Sequence, residues 1–367
     1  MTATPEFTPS RLSLARRRRG FTKTKLAALI ECTQKAVSDY EKGEYAPSED
    51  ALARIADVTR FPVEFFYGPD LPEPTPDTAS FRSMARMTAG QRDAALGAGA
   101  LAFMLNDWVE SRFVLPEPDL PELRDEDPQL VAASLRQHWG LGERPIKNMI
   151  HLLESKGVRV YSLAENTVEV DAFSLWHSKK PFVFLNTLKS AEHGRFDAAH
   201  ELGHLIMHRH CGPHGPDAET QANSFASAFL MPRASVLANA PRLATTKQLI
   251  QLKKLWIVSA TALAYRLHNL KLLSDWHYRT LCIQMSELGY RKNEPDPAPR
   301  ERSHILATVF SELREEGVSK HDVATQLQID VDELDRLVFG LMLMSLGDGR
   351  SKTSSSRAST PRLTVVK

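Results

Sequence analysis

Residues 195–210 contain His200-Glu201-Leu202-Gly203-His204, two imidazoles four residues apart with a carboxylate between them. On an α-helix, positions i and i+4 lie ~40° apart around the axis, so both rings can reach one ion. Glu201 then stands beside that ion, placed to take a proton from a water whose pKa zinc lowers to ~7. This is hydrolytic chemistry, and the ion expected is zinc, with manganese as the alternative. A third ligand is sought downstream. Residues 218–232 (AETQANSFASAFLMP) read as a helix whose apolar stripe is Ala222, Phe225, Ala226, Phe229 and Leu230. Glu219 falls on that stripe, and a buried carboxylate needs a partner. A metal ion is one such partner; the dipole of the first helical turn is the competing explanation for an acid there. Asn223, one turn on, is placed to brace a ligand from behind. Asp217 and Gln221 are poorer ligands by direction or chemistry.

Other elements must hold these groups in place. PFVFLNT (181–187) predicts a β-strand, of the kind that aligns an extended peptide beside an active helix. His208, His210, Cys211 and His214 form a second cluster just past the helix, read as adventitious metal pick-up rather than a second site. An oxyanion needs a donor, and His177, Tyr265 and His268 qualify by residue type alone. Trp256, Trp276 and Tyr265 read as packing residues. Cys32 has no nearby resolving thiol in sequence, which weakens a redox role.

The N-terminal residues pose a different chemistry. Residues 1–46 hold nine Lys/Arg (Arg11, Arg16–Arg19, Lys23, Lys25, Lys35, Lys42) against five acids, a local excess that suits a phosphate backbone. Leu26, Ala27, Leu29 and Ile30 recur at helical spacing, and Thr22 precedes them as an N-cap. A break at Glu31–Thr33 leads into a second short helix, Gln34–Tyr40. Two short helices joined by so tight a turn predict a helix-turn-helix.

The whole chain is 367 residues with 46 Lys+Arg, 45 Asp+Glu and a formal charge of +1, which excludes a uniformly basic nucleic-acid coat. Three scattered cysteines predict no disulfide framework and fit a reducing cytoplasm. No secretory signal is expected at the N-terminus, and the near-apolar run from Ala94 to Leu105 is shorter than the ~20 residues of a spanning helix. Proline clusters divide the chain. They predict a helix-turn-helix domain at 1–67, a Pro-rich linker at 68–80, and a connecting helix with an acidic Pro-rich segment at 81–128. A catalytic block at 129–292, a small helical module at 300–345 and a disordered tail at 346–367 follow. Within the module, 318–340 has helix-turn-helix spacing, but its acids outnumber its bases, so an interaction role is expected rather than phosphate binding.

Two resemblances sharpen these expectations. RLSLARRRRGFTKTKLAALI, TQKAVSDYEKGEYAPSEDALARIA and FPVEFF, with Tyr40, Glu41, Gly43, Pro47 and Ser48, resemble the Cro/cI-type (XRE) helix-turn-helix family. That resemblance implies a lambda-repressor-like helical domain, an operator in double-stranded DNA, and a homodimer on two half-sites. It places Gln34, Lys35 and Ser38 at base edges, with Lys23 among the DNA contacts. The family usually has Gly first in the turn where this chain has Glu31, which can fill a left-handed position at a cost of ~1 kcal/mol. Residues 135–160, PFVFLN, RFDAAHELGHLIMHRH, ETQANSFASAFLMP and 249–270 resemble the ImmA/IrrE metallopeptidase family. That resemblance implies His200, His204 and Glu219 as metal ligands and Glu201 as the catalytic base. The expectation is therefore an α+β, mainly helical, cytoplasmic protein: a DNA-binding domain before a zincin-like domain with a small sheet. Its expected activity is metallo-endopeptidase cleavage of a repressor or antitoxin-like regulatory protein. The alternatives are a non-proteolytic transcription factor or antitoxin whose metallopeptidase fold only senses a ligand or partner.

Overall fold

The computed structural model describes residues 6–74, 80–81, 88–123, 127–163, 172–209, 215–290, 292–342 and 364–365. The fold is mainly helical with a small sheet, as expected. At the N-terminus, α1 (Pro9–Arg18), α2 (Lys23–Leu29), α3 (Gln34–Lys42) and α4 (Glu49–Thr59) precede a 3-10 turn at Val63–Tyr67. Thr22 and Thr33 cap α2 and α3 by accepting from the amides of Lys25 and Ala36, each at 3.1 Å. Between the two helices Glu31 adopts φ 56°, the left-handed turn its position demands. Leu26, Ile30, Val37, Ile55 and Phe65 fill the space between these helices.

Next come β1 (Ser80–Phe81) and α5 (Ala89–Glu110), which contains the near-apolar run. The run is apolar because α5 is buried on almost every side, with α1 against one face and the sheet against another. Among the described residues no helix is long and apolar enough to cross a membrane. Then β2 (Phe113–Val114), α6 (Pro128–His138), α7 (Met149–Ser155), β3 (Arg159–Ser162), β4 (Ala172–His177) and β5 (Lys180–Leu185) lead into α8 (Ala191–Met207) and α9 (Pro216–Leu230). The sheet has the order β1-β4-β5-β3, with β3 parallel to β5 and the other pairs antiparallel. Phe173, Phe182 and Phe184 stack on one face, where Phe103 of α5 meets them. Ser174 and Trp176 face the other way, toward α8.

The strand expected at 181–187 is β5. It lies inside the sheet with both edges paired, so it cannot align a substrate. β4, which contacts α8 through Ser174 and Trp176 and carries β1 on its outer edge, is not revealed by the sequence pattern. Its residues 172–175 are buried on both faces, which removes the alternation that marks a half-buried strand.

α10 (Arg233–Asn239), α11 (Thr246–Trp256), α12 (Ala260–Asn269) and α13 (Asp275–Glu287) complete the central block. Trp256 is fully buried there, whereas Trp276 is 76% exposed and is not a packing residue. α14 (His304–Glu315), α15 (Lys320–Gln326) and α16 (Val331–Val338) form the C-terminal module. It docks on the central block by reciprocal capping. Glu154 of α7 accepts from the amides of His304 and Ile305, while Glu301 accepts from those of Met149 and Ile150. Most of the tail expected to be disordered lies outside the described residues, but Thr364–Val365 form β6, antiparallel to β2.

The basic run does not point at phosphates. Arg16 pairs with Glu41, Arg17 with Glu73, and both Arg18 and Arg19 with Glu333 of α16. Glu41 of the same domain, Glu73 of the linker and Glu333 of the C-terminal module are set against a run that looks free only when read locally.

Candidate metal centre

α8 is capped by Ser190, whose hydroxyl accepts from the amide of His193, and is buried along most of its length, charged and polar side chains included. Its first turn is tethered by Lys253 of α11, which bridges Glu192 at 2.9 Å and Glu294 at 2.8 Å. Within the buried helix, His200 and Glu201 are fully inaccessible and His204 nearly so. α9 crosses α8 at Gly203. A Cβ there would stand 2.9 Å from Cδ1 of Phe225, so this glycine permits the helices to approach. The far end of α9 is fastened by two buried guanidiniums, Arg136 on the carbonyl of Phe229 and Arg266 on that of Met231.

This packing brings Glu219 to the two histidines. Nε2 of His200 lies 3.3 Å from one carboxylate oxygen of Glu219, and Nε2 of His204 lies 3.3 Å from the other. The two Nε2 atoms are 3.1 Å apart. The ring tautomers follow from what stands behind each imidazole. Nδ1 of His200 faces Oδ1 of Asn223 at 3.2 Å, so it carries the proton. Nε2 of His208 faces Oε1 of Gln221 at 2.9 Å and so carries that ring's proton, which leaves Nδ1 of His208 to accept from Nδ1 of His204 at 2.9 Å. Both Nε2 lone pairs therefore point into the same small space as the Glu219 carboxylate. Burial pushes His204 down to about 4. Burial acts upward on Glu219, but the hydrogen bonds and charge that His200 and His204 offer it when protonated outweigh burial and hold the carboxyl at about 2. Both shifts leave neutral imidazole beside carboxylate at neutral pH.

Three acceptors converge with no proton between them, an arrangement that a cation resolves. The spacing also fits. Ligand atoms ~2.0–2.1 Å from a tetrahedral zinc stand ~3.3 Å from one another. His200, His204 and Glu219 are the one such group of potential ligands among the described residues. Glu201 points to the sheet side, where the hydroxyl of Ser174 donates to its Oε2 at 2.7 Å.

Of the residues expected at the site, His200, His204, Glu219 and Asn223 meet, and Glu201 adjoins them in α8. Ser174, His208 and Gln221 were not anticipated. By sequence His208 groups with His210, Cys211 and His214 as adventitious metal pick-up; those three lie outside the described residues. The i+4 step from His204 to His208 was the available signal. The three oxyanion candidates are not brought together here. His177 stacks on Phe103 on the far face of the sheet, and Tyr265 and His268 pack against Tyr278 of α13. In the helix-turn-helix, Gln34 and Lys35 are exposed at the start of α3, while Lys23 reaches Ser38 at 3.3 Å and Glu41 at 3.1 Å. Cys32 is half-buried, and burial raises its thiol pKa, which disfavours a reactive thiolate.

Residues 153–268, from the end of α7 into α12, match the IrrE N-terminal-like domain, a peptidase family. Residues 10–64 match a helix-turn-helix domain. The chain joins a helix-turn-helix domain to a metallopeptidase domain of the ImmA/IrrE type. The first match implies a divalent metal, which the converging ligand set suits, and the second implies DNA binding. No curated protein matches the chain.

Proposed function

We propose that this protein is a DNA-binding regulator with zinc-dependent endopeptidase activity toward a repressor or antitoxin-like regulatory protein, serving a stress, mobile-element or toxin–antitoxin response. The observation that carries the peptidase reading is the convergence of His200 Nε2, His204 Nε2 and the Glu219 carboxylate beside buried Glu201. A divalent ion held by those three supplies the positive charge that acidifies water and polarises a carbonyl. Glu201 is the general base, taking the proton as water attacks and handing it to the leaving amine as the C–N bond breaks. Ser174 orients that carboxylate by donating to Oε2. Asn223 and His208 hold the two imidazoles in the tautomer that leaves Nε2 bare. For the N-terminal domain, exposed Gln34 and Lys35 at the start of α3 support major-groove contact. A digestive enzyme would gain little from such a domain, which favours a regulatory substrate.

Elemental mass spectrometry of the chelator-free protein tests the metal: about one transition metal per chain, lost in His204→Ala, is expected. Comparing the cleaved proteins of cells carrying wild type or Glu201→Gln tests the chemistry. Identical N-terminal peptide profiles end the enzymatic reading and leave a non-proteolytic regulator.

A further inference from the structure

β4 pairs with β5 along one edge. Near the middle of the strand the side chain of Ser174 touches Glu201 of α8, so the other edge passes one residue from that carboxylate. An unpaired strand edge in that place presents backbone N–H and C=O groups to any extended peptide brought to Glu201. In this protein the edge is taken. Ser80 and Phe81 pair antiparallel with it, Ser80 opposite Ser174 and Phe81 opposite Phe173. The chain arrives there along an anchored path. Arg11 donates to the carbonyl of Pro69 at 2.7 Å, Arg17 pairs with Glu73, and Pro74 is buried against α5. Gly99 makes room for that proline, since a Cβ there would stand 2.7 Å from Cγ of Pro74. The linker is thus held by α1 and α5 as far as Pro74, and Ser80–Phe81 lie on the edge of β4.

We infer that the outer edge of β4 is a docking edge for extended peptide, and that its resident occupant is the chain's own Ser80–Phe81 segment, which a protein substrate must displace. This inference rests on the peptidase reading above. Two features favour the chain's own segment as occupant. Its direction, antiparallel to β4 and centred on Ser174, is that of a strand added to the edge. Its tether keeps it at an effective concentration on the order of millimolar, while two residues of pairing leave it displaceable by a longer substrate strand. Because Glu73 is held by Arg17 of α1, a movement of the N-terminal helices would shift the balance between occupant and substrate.

The experiment is residue-resolved hydrogen exchange on the full-length protein, comparing wild type with the double substitution Ser80→Pro and Phe81→Pro. Proline removes the strand-pairing amides. The outward-facing amide within Phe173–Ser174, the stretch that Ser80–Phe81 covers, is expected to exchange roughly tenfold or more faster in the variant, with α8 and β3 unchanged. Equal exchange in the two proteins overturns docking. In metal-loaded protein acting on a denatured protein chain, the variant's KM should fall severalfold, and a synthetic peptide of residues 76–85 should restore it competitively. Faster exchange with an unchanged KM overturns competition. Exchange needs neither metal nor substrate, so a chain that binds no metal and cuts nothing defeats the peptidase reading while the docking result still stands.

Discussion

Arg18, in the first helix of the chain, donates at 2.9 Å to Glu333, 315 residues later, and neither side chain reaches solvent. Arg19 shares the same carboxylate from the other side. A single buried acid of the C-terminal module therefore holds the helix-turn-helix domain, while Glu154 and Glu301 bind that module to the peptidase block. The module joins the two alongside α5, which packs on α1 and on the sheet.

Burial alone would raise the pKa of Glu333, but Arg18 and Arg19 hold it at about 2 rather than the usual 4.5. A depressed folded-state value means that the ion pair stabilises the fold above pH ~4.5 and that this contribution is lost as pH falls toward 2. The size is about 3 kcal/mol. Glu333→Gln leaves buried Arg18, Arg19 and the more exposed Arg336 without their anion, which costs ~3–5 kcal/mol at neutral pH. Thermal unfolding from pH 7 to 3 should show a flatter profile for the variant; parallel curves would refute the assignment.

Gly203→Ala sets a methyl group 2.9 Å from the ring of Phe225 at the crossing of α8 and α9. A rigid ring on a buried helix cannot swing aside, so α9 must shift and carry Glu219 with it. Stability should drop by ~1–3 kcal/mol. Zinc affinity, followed by chelator competition, should weaken more than stability alone predicts.

His208→Phe keeps the ring's bulk but removes the acceptor for Nδ1 of His204. Losing such a brace typically weakens metal binding 10–100-fold. His208→Asn, with an acceptor on a shorter side chain, should recover part of the loss. Equal affinity of all three proteins would show that His204 needs no such partner.

Lys35→Ala should weaken DNA binding at every salt concentration and lower the slope of log K against log salt by about 1. Arg18→Ala should leave that slope alone and lower the melting temperature, because Arg18 is spent on Glu333. The pair separates an exposed cation from a buried one within a single basic N-terminal segment.

Much of this protein was legible from local spacing. The i+4 pairing of His200 and His204 and the register of Glu219 and Asn223 on an apolar helix depend on backbone periodicity alone, which short segments obey wherever they sit. So does the tight turn at Glu31. What the sequence left open depends on distant partners. The basic run at Arg16–Arg19 looked ready for phosphate until tertiary packing set Glu73 and Glu333 against it. β4 carried no alternation because both its faces are covered, and β5 could not be ranked as interior until its neighbours were known. His208 read as a spare ligand, and only the crossing of α8 and α9 placed Gln221 behind it and turned it toward His204. Local spacing is enough to show which groups can do the chemistry. The tertiary structure decided which of them are neutralised, braced or covered, because charge compensation and burial are set by contacts between segments that no local period connects.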